Sequence, residues 1–215
     1  MNETLVFIFQ LIVLIFSVMV HEVTHGAVAY RLGDDTAKNL GRLTLNPMKH
    51  IDPVGSVLLP LFLYIASRGN FIFGWAKPVP FNPFKLKNPT LGAAIIGAAG
   101  PLSNFSLAII FGLLIRLIGP LASLGVSFVV PMIFLFNIIV YLNIMLGVFN
   151  LVPIAPLDGS RILYAIIPNR YARFKMFLEQ YGSFILIFFL FFGFQWIVPF
   201  INAIYLWVVG QWGIL

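Results

Sequence analysis

Cysteine is absent from all 215 residues, which removes disulfides and thiolate metal ligands from consideration. Charge is nearly as scarce. Only 9% of residues are Asp, Glu, Lys or Arg, against about a quarter in soluble domains. Acidic residues number seven and histidines three, so metal binding or acid–base chemistry has few side chains to draw on. What fills the chain is apolar: 60% of residues are hydrophobic and 16% aromatic. This excludes an ordinary soluble domain and describes an all-α polytopic membrane protein. The formal net charge is +6, but the cations sit in loops beside apolar runs, with no basic stripe interleaved with aromatics. Nucleic acid is therefore not an expected partner. The cations read as orientation signals and as attraction to anionic membrane lipid.

Apolar runs at about 4–30, 91–117, 126–149 and 182–209 are each long enough to cross roughly 30 Å of hydrocarbon as a helix. A fifth run, Val54–Ala66, has 13 residues and contains Pro60, too few for a standard span. With Ser67-Arg68-Gly69-Asn70 and the aromatic and β-branched Phe71-Ile72-Phe73-Gly74-Trp75 that follow, it predicts a re-entrant β-hairpin over 54–75. If that hairpin does not cross, twelve of the thirteen Lys and Arg residues lie on one side, with Arg116 alone on the other. That side is then cytoplasmic, and both termini are extracytoplasmic. No Lys or Arg precedes the first run, so it does not read as a cleavable signal.

The first run carries His21-Glu22-Val23-Thr24-His25. Residues four apart on a helix differ by about 40° and rise about 6 Å, so both imidazoles can face one ion. Glu22 is placed to take a proton from water activated there, as in HExxH hydrolases. A lone histidine on an apolar helix is ordinarily a satisfied core residue. Two histidines and a glutamate inside a span are costly enough to imply a function. Arg31 follows six residues after His25, which sets this site in the cytoplasmic half of the bilayer.

A catalytic zinc needs a third protein ligand and one open position. Glu3 and Glu179 lie at the edges of spans, and Asp34, Asp35 and Asp52 lie in the first loop. His50, beside Lys49 and Asp52 in that loop, reads as a solvated or structural histidine. Asp158 is the strongest candidate. It follows the third span in Asn150-Leu-Val-Pro153-Ile-Ala-Pro156-Leu157-Asp158-Gly159, where two prolines deny the chain a regular helix and a glycine permits close approach. Capping of a helix that starts near Ser160 is an equally compatible role for it. Asn104 is polar within the second span, suited either to an interhelical hydrogen bond or, with Asn150, to orienting substrate or assisting an oxyanion.

These motifs resemble those of the site-2 protease family, peptidase family M50. His21–His25 is similar to the family's HExxH, Asn150–Gly159 to its NxxPxxPLDG element, and Gly100-Pro101-Leu-Ser-Asn104 to its GPxxN. Gly41-Arg-Leu-Thr-Leu-Asn46-Pro47 with Ile51-Asp52-Pro53-Val-Gly55 is similar to the segment linking the first core helix to the family's re-entrant strands. The resemblance covers about residues 15–165. It implies a zinc peptidase with one Zn2+ held by His21, His25 and Asp158, Glu22 as the base, and transmembrane proteins as substrates. With no PDZ or CBS region visible, the chain reads as a minimal member: a single domain over 1–215, with a catalytic core at about 4–165 and a C-terminal helix at about 182–209. A metal transporter and an inactive membrane-protein-binding relative are the competing classes. Neither inverted repeats nor a second polar cluster supports the first, and the intact motif residues oppose the second.

Overall fold

A computed structural model describes residues 2–68 and 77–213. Among these residues all regular structure is helical, with no strand. Eight α-helices occur in order: α1 (Glu3–Arg31), α2 (Thr36–Asn39), α3 (Leu59–Ala66), α4 (Pro89–Ser123), α5 (Val129–Asn150), α6 (Asp158–Ile166), α7 (Ala172–Phe188) and α8 (Phe194–Val209). Four helical stretches have the length and apolarity to cross a membrane: Glu3–Arg31, Pro89–Ser123, Val129–Asn150 and Asn169–Trp212. They correspond to the four expected spans. The last begins well before residue 182, because the polar stretch from Arg170 to Gln180 is rich in helix formers and winds continuously into α7. A π-helical turn, Phe189–Gly193, joins α7 to α8.

The expectation of a strand at Val54–Ala66 is corrected. Pro53–Leu58 forms a π-helical turn that runs directly into α3. The cause is local: the Asp52 carboxylate accepts from the backbone N–H groups of Val54 and Gly55 at 3.1 and 2.7 Å, and Pro53 occupies the first helical position. These are two helix-start signals that outweigh β-branched content. The other proposed arm, over 69–75, lies outside the described residues.

Two compact units divide the chain at Gly92/Ala93. In the first, α1 is capped by Asn2, whose side chain accepts from the Thr4 N–H, and has Glu3 in its first turn and Arg31 in its last, both favourable to the helix dipole. Its buried residues include Ser17, His21, His25 and Ala29, one per turn along a single face. The ring of Phe7 on α1 stacks on Tyr64 of α3 with centroids 3.8 Å apart. In the second unit, Ala108, Ile115, Ile133, Val140, Ile144, Ile201, Tyr205 and Val208 bring α4, α5 and α8 into one core. Gly112 and Gly119 admit Val208 and Trp212 where any Cβ would collide, the close approach expected of small residues between membrane helices. The Arg116 guanidinium donates to the carbonyls of Trp207 and Val208, closing the C-terminal end of α8.

Candidate metal centre

His21 and His25 project from the buried face of α1, each 5% exposed. Their Nε2 atoms lie 3.0 Å apart and the rings stand at 88° to each other. Two Zn–N bonds of about 2.05 Å at a tetrahedral angle would set the nitrogens about 3.3 Å apart. The pair is therefore preorganised to within a few tenths of an ångström for a shared cation. Thr24 donates its hydroxyl to the Val20 carbonyl at 2.7 Å, which turns its polarity back onto the helix. The Glu22 carboxylate, about 100° round the helix from His21 and half-buried, accepts from the backbone N–H of Val79 at 2.7 Å.

Asp158 opens α6 and is 7% exposed. Its position has a backbone cause. A Cβ on Gly159 would collide with the carbonyls of Leu151 and Val152, so only glycine lets the chain fold back this tightly after α5. Gly97 of α4 also lies near this turn: a Cβ there would stand 3.0 Å from the Asp158 carbonyl oxygen. The cap preceding α6 is Leu157, with no side-chain cap bond, and Arg161 approaches the Asp158 carboxylate only to 3.9 Å. His21 and His25 are thus buried in the first unit and Asp158 in the second. Two imidazoles and a carboxylate are a donor set that suits zinc.

The other sequence candidates take different places. His50 is structural rather than solvated: it is buried, its Nε2 lies 2.9 Å from the Thr44 carbonyl, and its own carbonyl accepts from the Lys77 N–H. Asn104 is fully buried and donates to Asn143 of α5 at 2.9 Å. Asn150 bonds back to the Leu146 carbonyl of its own helix.

Asp34 carries a role that the sequence reading missed. It is wholly buried and accepts from the Thr36 hydroxyl, the Thr36 N–H and the Asn82 N–H, the last at 2.6 Å. Burial opposes its charge most strongly, but these hydrogen bonds together with nearby Lys85 prevail and hold the carboxyl below its ordinary 3.8. The Asp-x-Thr spacing after Gly33 was the available signal, since Asp and Thr form such side-chain turns. Nothing in the sequence could have signalled the Val79 amide.

A model of peptidase family M50 matches residues 118–193. YwhC of Bacillus subtilis (strain 168), named as a candidate zinc metalloprotease, is 41% identical over 175 residues, covering 81% of this chain and 76% of its own. The chain belongs to peptidase family M50, the site-2 protease family. Zinc metalloprotease MJ0392 of Methanocaldococcus jannaschii is 28% identical over 81% of this M50 chain, which spans 39% of that longer protein. Rip2 of Mycolicibacterium smegmatis is 29% identical over 85% of this chain and 66% of its own. No solved structure matches. Family membership and the relatives' names support a zinc metalloprotease, and the four apolar helices a membrane protein.

Proposed function

We propose that this chain is an intramembrane zinc endopeptidase that hydrolyses peptide bonds in or near the transmembrane segments of other proteins. The observation that carries the reading is the pair of buried imidazoles, Nε2 to Nε2 at 3.0 Å, on the inward face of a membrane-length helix with Glu22 between them in sequence. His21, His25 and Asp158 hold the metal. Bound zinc supplies Lewis-acid activation of water and of the scissile carbonyl. Glu22 accepts the water proton as the C–O bond forms and returns it to the amine as the C–N bond breaks. Arg31 ends α1 two turns beyond His25, so the site lies in the cytoplasmic half of the cell membrane. A helical substrate hides its carbonyls in intrahelical bonds and must unwind locally to be cut. With 54–66 helical, that segment offers no strand edge for the unwound chain.

Glu22→Gln tests the reading. The variant should retain stoichiometric zinc and lose cleavage by about 10²-fold or more, the loss expected for a general base. Quantitative proteomics of membrane fragments from cells expressing either form should show products only with the wild type. Identical fragment profiles would refute it.

A further inference from the structure

The segment from Lys77 to Lys85 is tied to α1 and to the loop that follows it in the first unit, and one of its contacts is made to Glu22. Lys77 and Val79 each precede a proline, which confines both to extended conformations, while Pro78 and Pro80 have fixed φ. Four ties hold this strap. The Lys77 N–H donates to the His50 carbonyl at 2.8 Å, the Val79 N–H to Glu22 Oε2 at 2.7 Å, and the Asn82 N–H to Asp34 at 2.6 Å. Lys85 pairs with Asp35 at 2.5 Å. Gly26, one turn beyond Glu22, makes room for it: a Cβ there would stand 2.8 Å from Val79 Cγ1 and 2.7 Å from Leu43 Cδ2. The Val79 side chain is buried.

We infer that the 77–85 strap is a positioning element of the site, with the Val79 backbone N–H holding the Glu22 carboxylate in its working orientation. This rests on Glu22 being the base. The amide occupies Oε2 and leaves Oε1 to take the proton. A glutamate carboxylate, with all its side-chain torsions free, would otherwise sample several rotamers, only some of them within reach of the water. The donor is a main-chain group on a proline-stiffened, multiply tied segment, so little freedom is lost in presenting it.

Removing one N–H is the test. Val79 replaced by its α-hydroxy analogue through nonsense suppression turns that amide into an ester, and Val79→Pro removes the same donor genetically. Val79→Ala keeps the donor and loses the packing. The probe is a fluorogenic peptide with one transmembrane segment in detergent micelles, cut by zinc-loaded protein. The ester and Val79→Pro forms should lose about tenfold in kcat with KM within about twofold of wild type, the scale of one charge-assisted hydrogen bond. Zinc content should not change, and Val79→Ala should keep kcat within about threefold. If Val79→Pro fails to fold, the ester form decides. An ester form with wild-type kcat, or with only KM altered, overturns the inference.

A second readout is independent of turnover. Pro-Val pairs occur only at 53–54 and 78–79, so 13C-proline with 15N-valine labelling selects two amides. The Val79 amide proton should move upfield in Glu22→Gln, while Val54, held by Asp52, stays in place. An unmoved Val79 signal overturns the contact itself. Absence of any Glu22-dependent cleavage by wild type overturns the reading of Glu22 as base, and this one with it, even if the Val79 signal moves.

Discussion

At the scale of single residues the candidate ligands were written in spacing. His21 and His25 are four apart, which at 3.6 residues per turn puts them on one face, and their rotamers bring the Nε2 atoms together. Asp158 was legible for a different reason: Pro153, Pro156 and Gly159 announced a break, and Gly159 proved to be the residue that the tight return requires. If Asp158 supplies the third ligand, Asp158→Ala should reduce zinc to a small fraction of stoichiometric after dialysis, while the protein still inserts in membranes. Elemental analysis of the purified variant measures this, and full zinc occupancy would place the ligand elsewhere. The Val79 contact to Glu22 was not legible, since the donor is a backbone amide 57 residues away and every non-proline residue carries one.

Among the elements, the helix at 53–66 shows where pattern reading failed. Its aromatic and β-branched residues favoured a strand, yet Asp52 and Pro53 form an N-terminal cap, and capping is a local effect that acts before any sheet partner is available. The strap on α1 has its own testable electrostatics. Asp34 has a folded-state pKa held below its ordinary value, so the stability it contributes is fully present above that ordinary value. It is lost as pH falls through the lowered one. Asp34→Asn should therefore lower the thermal midpoint near pH 6, where the wild-type carboxylate is ionised and fully bonded. A net loss of about 1–3 kcal/mol is the scale for breaking a buried, charge-assisted bond set. The gap between variant and wild type should hold constant from pH 6 down to about the ordinary 3.8 and narrow only below it, as the carboxylate protonates. Melting curves across that range check it, and a gap independent of pH would show that the carboxylate charge is not what anchors Asn82.

For the whole molecule, the four membrane-length helices were readable from the lengths of the apolar runs, because hydrocarbon thickness dictates length. Orientation is a prediction. In this cysteine-free chain, single cysteines at Lys38, Asn88, Ser123 and Asn169 can be probed with an impermeant thiol reagent in intact cells. Only the Ser123 position should label, placing the loops at 31–50 and 77–90 in the cytoplasm. Labelling at Asn88 but not at Lys38 would mean that 54–66 and its continuation cross the bilayer. On the predicted topology, Arg116 has a consequence for the surrounding lipid. The one cation of the far leaflet is bound to the carbonyl end of α8, where the helix dipole offsets its charge, while the other twelve lie on the cytoplasmic side, where even with Lys85 paired to Asp35 the excess of positive charge faces the headgroups. The annulus of lipid around the protein should then be asymmetric, gathering anionic lipid in the inner leaflet and showing no such preference in the outer one.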